Sequence, residues 1–255
     1  MKANVTMKAL SAAVLGLAGM AFAGSALADC PAGSNDPGAN WPGGRATTGG
    51  GVLGLEAPGL KATACKMAAS FGGTSGLSAA AVIDTTPANE TRYRFRFYLD
   101  TDLITPFTGL QQVQLFTANA ANPFPAAGGS LAMVRAVLVP GGTTGRRVGF
   151  LVGTNDPVNS YIAPAAFAPI NAGANYIEGE LIVGAAGTGK FNYWVNNNVA
   201  GTPTGTVNVD NAGWVGVDTA SLGMANGNST FRTLQQGKKI YFDEFDSRRQ
   251  TFIGQ

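Results

Sequence analysis

Arg92-Tyr93-Arg94-Phe95-Arg96-Phe97-Tyr98-Leu99 is the stretch that decides the fold. Its odd positions are aromatic or apolar, and its first three even positions are arginine. A strict period of two is the signature of a half-buried β-strand. One face of such a strand packs into a core, and the other meets water or a neighbouring element.

Working outward, the same kind of signal recurs from about Ala79 onward. Strands are expected over Gln112–Thr117, Leu131–Val139, Arg147–Val152, Tyr176–Val183, Phe191–Val195, Trp214–Leu222 and Lys239–Phe245. Turn sequences separate them. PGGTTG, between Val139 and Arg146, joins an antiparallel pair, and GAAGTG after Val183 joins Tyr176–Val183 to Phe191–Val195. No segment beyond the N-terminal leader sustains a 3.6-residue apolar period. About nine strands with hairpin turns fit an all-β, two-sheet antiparallel sandwich of the jelly-roll type. Composition agrees: 36 of 255 residues are Gly and only 13% are charged, which leaves few surface helix formers.

Residues 1–28 read as a secretory signal peptide. Lys2 and Lys8 supply a positive start, ALSAAVLGLAGMAFAG an apolar run, and Ala26-Leu27-Ala28 a small-residue cleavage site. The run is too weakly apolar for a membrane span, and Asp29 before Cys30 argues against a lipoprotein. The expected product is periplasmic or extracellular. Residues 29–57, rich in Gly, Pro, Asn and Asp, are expected to form an irregular arm, with one domain over 58–255. Removing the two leader lysines leaves 15 basic against 15 acidic residues. That balance points away from nucleic acid or an anionic membrane as partner. Cys30 and Cys65 are the only cysteines, and in an oxidising compartment a lone pair is most simply a disulfide.

Three pieces resemble a concanavalin A-like (laminin G-like) jelly-roll domain of the kind bacterial exported proteins carry. They are TRYRFRFYLDTD at 91–102, NYIEGELIVGAAGTGKFNYWVNNNVAG at 175–201 and KKIYFDEFDSRRQTFIG at 238–254. The resemblance covers roughly 52–254 and implies a fold that hosts lectins, glucanases, lyases and adhesion modules alike.

Chemistry is sparsely marked. The chain has no His, which removes His-based triads and the commonest zinc ligands. A carboxylate pair acting on glycosidic bonds remains. Jelly-roll glucanases carry E-x-D-x-x-E on one strand, and the acidic strand Tyr241–Asp246 departs from it, with Asp243 and Glu244 expected on opposite faces. Glu178 and Glu180 share a face, but Arg92, Arg94 and Arg96 offer them cross-strand ion pairs. The same arginines are alternatively a floor for an acidic glycan. Trp194 with Asn192 and Asn196 is the candidate sugar platform, unless Trp194 packs beneath a loop; Trp41 and Tyr161 are loop aromatics. Asn208, Asp210 and Asn211 form an oxygen-rich cluster suited to calcium, and Asp84 with Glu90 a weaker one, although such residues also build turns. The expectation is an exported, non-catalytic protein that binds glycan or another extracellular surface component. A polysaccharide-degrading enzyme and an adhesive subunit self-associating through edge strands are the alternatives.

Overall fold

The computed structural model describes residues 36–61, 63–74, 77–124, 130–156, 161–162, 166–248 and 250–255. The expected leader and Cys30 lie outside them. Fifteen strands and one short helix follow in chain order: β1 (Arg45–Thr48), β2 (Gly51–Glu56), β3 (Lys66–Phe71), β4 (Ala79–Asp84), β5 (Arg92–Asp100), β6 (Val113–Phe124), β7 (Ser130–Pro140), β8 (Arg146–Gly153), β9 (Tyr161–Ile162), β10 (Phe167–Pro169), β11 (Asn175–Ile182), β12 (Lys190–Val195), β13 (Gly205–Asn208), β14 (Thr219–Ala225), α1 (Ser229–Leu234) and β15 (Lys239–Arg248). Eight strands form sheet A, in the order β1-β4-β14-β6-β7-β8-β10 with β9 also paired to β8; seven form sheet B, in the order β13-β12-β11-β5-β15-β3-β2. All pairings between these strands are antiparallel.

β5 behaves as its alternation dictates. Tyr93, Phe95 and Phe97 point inward and are 0–2% exposed. Phe95 stacks on Phe116 of sheet A with centroids 3.9 Å apart, while Phe97 meets Phe242. Val148, Phe150 and Val152 do the same from β8, Ala220, Leu222 and Met224 from β14. Each buried large side chain contributes about 1.5–3 kcal/mol of hydrophobic stabilisation, and this shared interior is what holds the two sheets face to face. Gly179 marks one tight spot, since a Cβ there would lie 2.5 Å from the Phe95 ring.

Both expected hairpins form, with Pro140 opposite Arg146 and Ile182 opposite Lys190. Four expectations need correction. The segment expected to be irregular contains β1 and β2, whose small residues pair at the margins of the two sheets: Arg45 opposite Val82, Gly51 opposite Phe71. The strand expected from Trp214 begins only at Thr219, because Trp214 belongs to a loop closed by its backbone bond to Asn211. The short helix α1 is nucleated by Asn228, whose side chain accepts a hydrogen bond from Phe231 N at 2.8 Å; six residues are too few to show a period. Finally, β15 bulges between Asp243 and Asp246, with Glu244 at φ 47°. The extra residue turns Glu244 to the same outer side as Asp243, where it reaches Arg96 at 2.6 Å.

Candidate functional site

The arginine stripe lies on the outer face of sheet B, and β11 is its neighbour. Glu180 pairs in register with Arg94 and Glu178 with Arg96. Arg94 bridges both acids, with Nη1 2.9 Å from Glu178 and Nη2 2.8 Å from Glu180. Arg92 donates to Glu180 at 2.8 Å through Nε. Burial pushes the Glu180 carboxyl up, but hydrogen bonds from Arg94, Asn192 and Arg92 outweigh it and hold the group below its ordinary value. Glu178 is wholly buried and accepts from the Tyr176 hydroxyl as well.

The C-terminal segment closes this face. Ile253 N and Gly254 N donate to the two oxygens of Glu178 at 3.1 and 3.0 Å, and Gln255 N donates to Asn198. Phe252 packs on Trp194 at 5.4 Å, and the Arg94 guanidinium lies 4.9 Å from the Trp194 centroid and 5.5 Å from that of Phe252. Trp194 is therefore 2% exposed, with Nε1 donating to Val199 O. As placed, it presents no ring face to a sugar. Asn192 is spent between Glu180 and Thr206. Asn196, at φ 53°, is a turn residue joined to Tyr176 N and Asn175. The expected platform residues are thus near one another but engaged within the protein.

The expected calcium ligands are likewise engaged. Asp210 accepts from Asn155 Nδ2 at 2.7 Å, and Asn211 accepts from Gly184 N at 2.8 Å, so both tie loops together; Asn208 ends β13 opposite Lys190. Asp84 accepts from Thr86, and Glu90 from Ala88 N, as turn formers do. Among the described residues no group of three or more His, Cys, Asp or Glu could hold a metal ion. Trp41 packs against Phe245 at the core margin, Tyr161 lies in β9, and Cys65 is 1% exposed.

A different surface has the character of a binding site. On the outer face of sheet A, a groove of about 320 Å³ crosses β14, β6 and β7, lined by Gln114, Thr117, Asn119, Arg135, Ser221 and Asn226 with Leu131, Ala132 and Ala225. The alternation that buries Phe116, Ala118 and Ala120 turns Thr117 and Asn119 outward. Thr117 and Ser221 hydroxyls share a hydrogen bond of 2.7 Å, Asn119 Nδ2 donates to Thr117, and Asn226 Nδ2 donates to Gln114 Oε1 at 2.7 Å. Those bonds orient the side chains while leaving Asn119 Oδ1, Asn226 Oδ1 and Gln114 Nε2 without a protein partner among the described residues. The sequence reading missed this groove. Its signal was present in the polar alternate positions of β6, but β14, which completes it, lies far along the chain.

No protein-family model matches the chain, and no curated protein does. Solved structures are similar to it. An endo-β-1,4-glucuronan lyase from the fungus Trichoderma reesei superposes with a TM-score of 0.59 at 13% identity, over 81% of this chain and 90% of that one. The alginate lyase Aly36B gives 0.53 at 11%, over 74% and 82%. A botulinum neurotoxin serotype D binding domain gives 0.51 at 9%, over 83% and 45%. These are likenesses of fold. They agree with a concanavalin A-like sandwich, whose outer faces are where this chain differs from one side to the other.

Proposed function

We propose that this is an exported, non-catalytic protein that binds a glycan in the groove across β14, β6 and β7. The lining carries the proposal: amides and hydroxyls that orient one another and retain unused hydrogen-bonding capacity, with the Arg135 guanidinium beside them. Planar amides and hydroxyls match the donor and acceptor pattern of sugar hydroxyls, and the volume lies at the lower end for a small-molecule site. Among the described residues the lining holds no carboxylate, Tyr, Lys or His. Its one ionisable group, Arg135, does not give up its proton, whereas acid–base chemistry on a glycan requires a group that does. Two of the similar folds belong to enzymes named for polysaccharides, which favours a glycan over other surface components. Export rests on the leader at residues 1–28, and a Cys30–Cys65 bridge suits the compartment it leads to.

The test is a glycan array probed with the mature chain, followed by an assay for reducing ends and unsaturated products on each glycan bound. The expected result is binding without product, weakened about tenfold by Asn119→Ala, the effect of one lost hydrogen bond of about 1.4 kcal/mol. Product formation, or no glycan bound, contradicts the proposal.

A further inference from the structure

The outer face of sheet A continues beyond the groove, and its next feature is an arginine of unusual circumstance. Arg147 of β8 is followed across the strand pair by Phe167 of β10: Phe167 pairs with Gly149, two residues along from Arg147 on the same outer side. The guanidinium carbon of Arg147 stands 3.8 Å from the Phe167 ring centroid. Gly149 makes the arrangement feasible, since a Cβ there would lie 2.6 Å from the ring. Both side chains are partly exposed.

Four other arginines in the sheets show what is missing here. Arg92, Arg94 and Arg96 are matched to Glu180, Glu178 and Glu244. Arg146, next in the chain, is buried and donates to the carbonyls of Thr101 and Ile104. Arg147 has no carboxylate within ion-pair reach among the described residues. A guanidinium stacked on a ring is held flat with its donor edge preorganised, which is the geometry that takes a carboxylate by two parallel hydrogen bonds.

Position links this feature to the groove. Arg135 of the groove pairs with Leu151 on β8, two residues from Gly149. Phe167 therefore lies two strands from Arg135, about 10 Å across the sheet at the usual strand spacing. A glycan touching both spans more than one sugar ring.

We propose that Arg147 and Phe167 form a subsite for the carboxylate of a uronic acid unit, so that the ligand on this face is an acidic oligosaccharide; this rests on the groove being the glycan site. Phe167 offers an apolar edge beside the sugar ring, and Arg147 takes its carboxylate.

The experiment is calorimetric titration of the mature chain with hexamers of glucuronate, galacturonate and mannuronate, each beside its carboxyl-reduced counterpart. At least one uronate hexamer is expected to bind at least tenfold more tightly than its reduced form, with affinity falling as salt rises. Arg147→Gln should abolish that preference, so that the uronate and its reduced hexamer bind alike. Arg147→Lys should recover only part of it, because it keeps the charge and loses the flat fork. Equal affinity for the two forms in the unaltered chain, or an acid preference that survives Arg147→Gln, overturns the subsite. If Asn119→Ala still weakens binding in that case, the groove proposal stands without it. If no hexamer of either form binds, the subsite falls and the groove is judged by the glycan array alone.

Discussion

The outer face of sheet B and the outer face of sheet A arise from the same alternation but use their polar positions differently. On sheet B, Arg94 sits between Glu178 and Glu180, and the C-terminal segment donates two backbone N–H groups to Glu178 and lays Phe252 over Trp194. Nearly every charge is answered within the chain, so the face acts as a second, polar layer of packing. On sheet A, Gln114, Thr117, Asn119, Ser221 and Asn226 orient one another but keep atoms without protein partners, and Arg147 is stacked rather than paired. Charge density alone therefore points to sheet B, whereas the proposed site lies on sheet A. What distinguishes a binding face is bonding capacity held in place and left unused.

The largest effect that would break this comparison is on stability. Glu178→Ala leaves Nη1 of the buried Arg94, the Tyr176 hydroxyl and two backbone donors without their acceptor, although Nη2 keeps Glu180. Breaking a buried ion pair from one side typically costs about 3–5 kcal/mol, and urea unfolding should show a loss of that size. A loss below about 1 kcal/mol would mean the face is not packed as described. Deleting residues 250–255 should cost less, about 2 kcal/mol, and should shift Trp194 emission to longer wavelength as Phe252 departs; Trp194→Phe serves as the reference for Trp41 and Trp214. Unchanged emission would separate the segment from Trp194.

A smaller effect comes from pH. The folded-state pKa of Glu180 is held below its ordinary 4.5, so the unfolded chain binds its proton first as pH falls. The stabilisation from this group is complete above about pH 4.5 and is lost progressively below it. Urea midpoints measured from pH 6 down to pH 2.5 should fall more gently in Glu180→Gln than in the unaltered chain. An identical slope would deny the carboxylate its role in holding β5 to β11.

Sheet B was largely legible in the sequence, because its elements announce themselves locally. Arg92–Leu99 alternates strictly, GAAGTG closes β11 onto β12, and Glu178 and Glu180 stand two apart opposite the arginines. The same local reading failed where an outcome depended on distant chain. Trp194 reads as an exposed aromatic beside asparagines until Phe252, 58 residues later, is placed upon it. Glu244 reads as the opposite face to Asp243 until the bulge at φ 47° turns it. The groove unites residues from β6, β7 and β14, with Thr117 and Ser221 104 positions apart, and nothing at either end names the other. Likewise β1 and β2 are strands by virtue of their partners, since they are only four and six residues long and sit among Gly-rich turn signals.

The central claim is that ligand engages the outside of sheet A and not that of sheet B. Amide hydrogen exchange of the mature chain, with and without a saturating glycan identified on the array, tests it most directly. The account predicts added protection in β6, β7, β14 and the adjoining part of β8, with β5, β11, β12 and residues 250–255 unchanged. Protection confined to β11, β12 and the C-terminal segment would contradict it.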